Sequence, residues 1–167
     1  MKIYRDQGAK GALLDEYEKA LTELKTLIKD LSQAQLTTLV DKETADEDCR
    51  SIQTILSHIL RSGYTYVIMI RNHEGETLEI RNKTTLDSST KYCIALDEMF
   101  AYNLELFEDY PQLSLENFQP KNKIISSWGQ RYDVEQLYEH AIVHILRHRR
   151  QIERFLVKLD ISCWTLG

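Results

Sequence analysis

Apolar residues recur at intervals of three and four along four long segments, the spacing that gives a helix one buried face. The predicted helices cover residues 11–31, 49–73, 88–110 and 134–159. Asp48 and Asp133 stand where N-caps are expected, and Gln136 completes a capping box with Asp133. Pro111 ends the third helix, because proline cannot continue a helical hydrogen-bond ladder.

The connections between these helices favour a bundle. Residues 32–49 are polar and cross one end, residues 76–85 form a loop or a short extended piece, and residues 111–131 contain both prolines. The 167 residues include only six glycines and two prolines, which favours helix. We therefore expect an all-α fold, an antiparallel four-helix bundle formed by residues 1–167 as a single domain.

Charge and hydropathy exclude several partner classes. The formal net charge of -5 gives no general attraction to phosphate or anionic lipid, and the Arg147–Arg154 region lacks interleaved aromatic residues, so no nucleic-acid partner is expected. The first eleven residues lack the apolar stretch of a signal peptide, and no apolar run is long enough to cross a membrane. Cys49, Cys93 and Cys163 are widely spaced, as expected for reduced thiols in the cytoplasm.

Histidines provide the candidate chemistry. His140, His144 and His148 follow one another at intervals of four, so they share one helix face, although an isolated pair of this kind more often forms a polar stripe. His58 lies among apolar residues of the second helix, where an imidazole without a partner is costly. A shared metal satisfies this need, and three imidazoles leave positions for water or substrate. Imidazole suits zinc, nickel and iron.

Other polar residues near these histidines have simpler interpretations. Arg147, Arg149 and Arg150 form either a solvated face near a helix end or, for one of them, a contact with an anionic substrate. Cys49 is either a small structural residue or a thiol of lowered pKa near a helix start. His73 lies near Gly75 at a helix end and is expected at the surface.

Two segments resemble the DinB/YfiT-like superfamily of metalloenzymes. One is Leu56-Ser57-His58-Ile59-Leu60, and the other is His144 to Gln151, with the order His, three residues, His, Arg, any residue, Gln. The resemblance implies a DinB-type four-helix bundle, a homodimer, and metal ligation by His58, His144 and His148. His140 is an additional histidine one turn earlier, which leaves the choice of register open.

Relatives in that superfamily include transferases that join low-molecular-weight thiols, such as bacillithiol or mycothiol, to electrophiles. The resemblance therefore implies a small-molecule substrate, and metal-dependent thiol transfer is the leading hypothesis. The alternatives are a metal-dependent hydrolase and a non-catalytic metal-binding bundle that acts in stress or in protein interaction. His140 and Glu139 are candidates for a general base or for orienting a ligand.

Overall fold

Five α-helices make up most of residues 4–159, the part of the chain that the computed structural model describes. They are α1 (Gly8–Ile28), α2 (Gln33–Thr37), α3 (Ile52–His73), α4 (Ser89–Asp109) and α5 (Val134–Lys158). Short 3-10 turns occupy Glu47–Cys49 and Pro120–Asn122, and the strands β1 (Ile124–Ile125) and β2 (Arg131–Tyr132) pair antiparallel. The helical fold class is confirmed, and the four long helices lie where the apolar pattern predicted them.

Side-chain caps set the starts of these helices. Ser51 caps α3, and the capping box predicted at the start of α5 is confirmed, with Asp133 accepting from the backbone N–H of Gln136 at 2.9 Å. The predicted cap at Asp48 is wrong, because this residue lies in the 3-10 turn before α3 and directs its carboxylate elsewhere. The short helix α2 lies inside a segment that was expected to be a plain connection.

α3 and α4 are neighbours that run in the same direction. Near their starts, the hydroxyl oxygens of Ser57 and Tyr92 are 2.6 Å apart. Near their ends, Arg71 donates to the carboxylate of Asp109 at 2.6 Å. The expectation of a fully antiparallel bundle is therefore corrected for this pair.

The extended connection between α3 and α4 explains their parallel direction. Asn72, at the end of α3, exchanges two hydrogen bonds with the backbone of Leu78, of 2.7 and 2.9 Å. Gln53, at the start of α3, donates to the carbonyl oxygen of Leu86 at 2.9 Å. The chain thus returns along the whole length of α3 before α4 begins, and a short turn would instead have produced an antiparallel pair.

Two other pairs are antiparallel, whereas α1 and α5 are parallel neighbours, since Tyr17 contacts Tyr138 and Glu23, further along α1, pairs with Arg149, further along α5. The Sγ of Cys49, just before α3, lies 3.7 Å from the side-chain oxygen of Gln151, near the end of α5. Ser89, the first residue of α4, donates to the carbonyl oxygen of Leu31, just beyond α1, at 3.0 Å. In both cases the start of one helix lies beside the end of the other, so α3 faces α5 head to tail, as does α1 with α4.

The core lies between the four long helices. It contains side chains from each of them that are fully inaccessible to solvent, among them Leu24, Ile55, Leu96 and Leu137. Gly63 lets α3 approach α4 closely, since a Cβ atom there would lie 2.0 Å from the Sδ of Met99. No helix within residues 4–159 combines the length and apolar character needed to cross a membrane.

A β-hairpin joins the last connection to the start of α5. Ile124 pairs with Tyr132, and Gly129 turns the chain at a φ of +86°, a backbone region that glycine enters without steric cost. The N–H of Gly129 donates to the carbonyl oxygen of Ser126 at 2.9 Å. The turn carries Trp128 to the side of α5 where the histidines lie.

Candidate metal centre

Three histidine rings meet where α3 faces α5. The Nε2 atom of His144 lies 2.8 Å from Nε2 of His58 and 3.1 Å from Nε2 of His148. One ring nitrogen from each of the three residues falls within 4.8 Å of the others, which is close enough for a single metal ion. The three residues predicted as ligands are thus brought together.

Helix geometry explains how two chain segments supply one site. His144 and His148 are four residues apart on α5, so their rings lie on the same face, where they meet edge to face. His58 lies in the interior of α3, among side chains that pack against α5. Because the two helices are antiparallel neighbours, His58 is held opposite the pair without any loop being involved.

Two acceptor oxygens fix the orientation of the outer rings. Nδ1 of His58 lies 3.1 Å from a carboxylate oxygen of Asp48, and Nδ1 of His148 lies 3.1 Å from the amide oxygen of Gln151. Since these oxygens only accept hydrogen bonds, each Nδ1 carries the proton and each Nε2 presents its lone pair. Metal-binding histidines usually have such a partner on the opposite nitrogen.

A second contact anchors Asp48 itself. Its other carboxylate oxygen pairs with Lys83, which belongs to the extended connection before α4. Burial alone would raise the pKa of Asp48, but Lys83 and His58 together hold the pKa below its ordinary value. Asp48 is therefore ionised near neutral pH and can stabilise positive charge on the His58 ring.

The local environment keeps the central rings neutral. Burial, followed by the neighbouring His148 and His58, lowers the pKa of His144 to about 2, and Arg147 adds to this effect. Burial also lowers the pKa of His148, although the hydrogen bond that His148 donates to Gln151 acts in the opposite direction. A metal-binding imidazole must be neutral, so these rings are in the protonation state that ligation requires.

The donor set fits a divalent transition metal. The lone pairs of His58 and His148 both point at Nε2 of His144, which can carry at most one hydrogen. Hydrogen bonding alone therefore leaves one of the two contacts without a proton, whereas a shared cation satisfies all three nitrogens. Zinc, nickel and iron all accept imidazole, and three protein ligands leave room for an exogenous ligand.

The three rings lie at the wall of an open cleft of about 590 Å³. Part of the lining of the cleft is apolar and aromatic, from Tyr66, Ile80 and Trp128. Burial raises the pKa of Tyr66 to about 12, so its phenol remains protonated and does not act as a base. A small molecule can reach the histidines from solvent.

The DinB family matches residues 7–159, nearly the whole chain. The chain belongs to the DinB family. No curated protein gave a significant match. The match establishes the family without establishing a reaction.

His140 of this DinB protein lines the same cleft but stands apart from the three converging nitrogens. Its ring stacks on Trp128 with centroids 5.3 Å apart, and its Nδ1 lies 3.3 Å from the hydroxyl of Tyr132. Its ring centroid is 6.3 Å from that of His144. The geometry favours the register His58, His144 and His148, with His140 as a neighbour. Glu139, the other candidate base, is exposed and does not line the cleft.

The arginines on α5 differ in their surroundings. Arg149 pairs with Glu23 of α1 and with Glu153, so it ties α5 to α1. Arg147 lines the cleft that contains the three histidines. Arg61 of α3 also lines it, a contribution that the sequence pattern did not reveal. Arg150 is exposed outside the cleft.

The remaining candidates have structural explanations. Cys49 lines the cleft, but burial raises the pKa of its thiol against the hydrogen bond to Gln151, so the suggested lowered pKa is wrong. Cys49 and Cys93 are free thiols, and Cys163 lies outside the described residues. His73 is exposed at the end of α3, beside a different depression, and does not join the other histidines.

Proposed function

We propose that this DinB protein is a metal-dependent enzyme that transfers a low-molecular-weight thiol to an electrophile. The observation that carries the proposal is the convergence of three imidazoles at the wall of an open cleft. A closed structural site would surround the ion with protein ligands, whereas this site leaves one side facing solvent. Zinc, nickel or iron held by His58, His144 and His148 would occupy it.

When bound, a divalent cation supplies the charge that lowers the pKa of a coordinated thiol, as metal ions do for coordinated thiols in general. Burial keeps His144 and His148 neutral, so these two rings can donate their lone pairs without cancelling the charge of the ion. The chain's own cysteine in the cleft is a poor nucleophile, since the pKa of Cys49 is raised. The attacking sulfur therefore comes from a substrate.

In this proposal His140 receives the thiol proton. It lines the cleft, and partial burial lowers its pKa, so the ring is neutral and able to accept a proton near neutral pH. The sulfur electron pair then forms the new carbon–sulfur bond, while the bond to the leaving group breaks and its electron pair departs with that group. His140 returns the proton to solvent. The apolar and aromatic lining from Tyr66, Ile80 and Trp128 suits the carbon skeleton of the electrophile.

The test is a transfer assay with zinc-loaded protein, a panel of small thiols and a bimane halide as electrophile, with the thioether measured by mass spectrometry. We expect thioether formation above the uncatalysed rate, and none above it for a His58→Ala/His144→Ala/His148→Ala variant that circular dichroism shows to be folded. Equal rates with both proteins would contradict the proposal. Cleavage of a chromogenic ester without thiol would indicate the hydrolase instead, and inactivity in both assays would indicate the non-catalytic metal-binding bundle.

A further inference from the structure

Two arginines line the cleft that contains the three histidines, one on α3 and one on α5. Arg61 follows His58 by three residues on α3, and Arg147 follows His144 by three residues on α5. Residues three apart lie on neighbouring positions of a helix surface, so each guanidinium is on the same side as a proposed ligand. Both side chains are exposed, and both line the cleft.

Neither guanidinium is neutralised by a nearby carboxylate within residues 4–159. Arg61 uses only its Nε, in a 3.4 Å contact with the carbonyl oxygen of Arg81. Neither acidic residue of the cleft pairs with these arginines in the described part of the chain: Asp48 contacts Lys83 and His58, and Asp46 accepts from the N–H of Asp48. By contrast, Arg149 on the same helix as Arg147 has two glutamate partners. The arginines of the cleft thus keep their donors free for a ligand.

The same cleft also has an apolar and aromatic lining from Tyr66, Ile80 and Trp128. A ligand that matches both kinds of lining has an anionic group for the arginines and a hydrocarbon part. The planar guanidinium matches the two oxygens of a carboxylate, with which it forms charge-assisted bonds.

We infer that Arg61 and Arg147 form a carboxylate subsite, and that the substrate thiol of this enzyme is a mercaptocarboxylate. The inference rests on the proposed function, since it names the class of thiol that the same site takes. The subsite holds the carboxylate while the sulfur reaches the three histidines. A thiol of similar size without the carboxylate lacks this anchor and binds less tightly.

The test compares 3-mercaptopropionate with 3-mercaptopropan-1-ol, two thiols of similar length that differ in the acid group. Each is titrated into cobalt-loaded protein, and binding is followed by the sulfur-to-cobalt charge-transfer absorption. We expect the acid to bind about 10- to 100-fold more tightly, the value of one hydrogen bond to a charged group. An Arg61→Gln/Arg147→Gln variant should lose this preference while its affinity for the alcohol stays unchanged.

Arg150→Gln is the matched control, because it removes an exposed arginine from α5 outside the cleft and should keep the full preference. The cobalt spectrum without thiol should be identical in all variants. Equal affinity of the parent protein for the two thiols would overturn the carboxylate subsite. A preference for the acid that survives the double substitution would overturn it as well. Neither result would contradict the proposed thiol transfer.

Absence of the charge-transfer band with both thiols would instead contradict the proposed function. Calorimetric titration with 3-mercaptopropionate then measures the heat of binding, which tests the role of the arginines without relying on sulfur coordination. Binding heat that disappears in Arg61→Gln/Arg147→Gln would still support the carboxylate subsite. No heat with the parent protein, or equal heat with the double variant, would overturn it.

Discussion

Replacing His144 with alanine is expected to lower zinc affinity by more than about 100-fold. This exceeds the usual cost of losing a residue that only hydrogen-bonds to a ligating histidine. The reason is its central position, since its Nε2 faces the Nε2 atoms of both His58 and His148. Removing the ring leaves two ligands from different helices. Competition with a chromophoric chelator measures the affinity, and circular dichroism verifies that the variant is folded.

His140→Ala is the matched control, since it removes the same kind of ring one turn earlier on α5. His140 stacks on Trp128 and does not share the three-nitrogen contact. Its removal should leave zinc affinity within about threefold of the parent, well below the cost of losing even a supporting residue. A loss as large as that of His144→Ala would place His140 among the ligands and contradict the assigned register.

Replacing Asp48 with alanine is expected to weaken zinc binding by about 10- to 100-fold, the usual cost of losing the partner of a ligating histidine. Asp48 accepts from Nδ1 of His58 at 3.1 Å, and this contact keeps the lone pair on Nε2. Without it, the proton can move to Nε2 and block ligation. The same chelator competition measures the effect.

The Asp48→Asn variant tests whether Asp48 acts by orienting the His58 ring or whether its removal simply disturbs the local structure. Asparagine keeps an oxygen acceptor for His58 but loses the charge, so its affinity should lie between those of the parent and Asp48→Ala. Asp87→Ala, which removes a carboxylate paired with Lys91 at the surface, should not change zinc affinity. Equal affinities for the parent and Asp48→Ala would show that the contact with His58 has no role in ligation.

The part of the site that lies on one helix was predictable from spacing. His144 and His148 are four residues apart within a strongly periodic segment, and a helix necessarily places them together. His58 required a further step, because its partners lie on another helix. Its place in an apolar stripe indicated that it needed a partner, and the resemblance to DinB-like proteins identified which one.

The supporting contacts were not predictable, because they join distant parts of the chain. An aspartate just before a helix has the features of a cap, and nothing local shows that Asp48 instead bridges His58 and Lys83. Trp128 reaches His140 only because a two-residue pairing turns the chain back. Such short strands leave almost no periodic signal in a sequence.

The direction of α4 illustrates a similar limit at the level of the fold. Apolar periodicity gives the extent and buried face of a helix but not its direction relative to its neighbours. That direction depends on whether residues 74–88 form a turn or return along α3, and the structure shows the latter. The hydrogen bonds that hold this connection come from side chains at both ends of α3, Gln53 and Asn72.

The central claim is that this DinB protein holds one divalent metal ion on His58, His144 and His148. The most direct measurement is elemental analysis of the untagged protein beside the His58→Ala/His144→Ala/His148→Ala variant, both folded by circular dichroism. We predict close to one equivalent of zinc, nickel or iron in the parent protein and none in the variant. Equal, negligible metal in both proteins, unchanged after incubation with these ions, would contradict the claim.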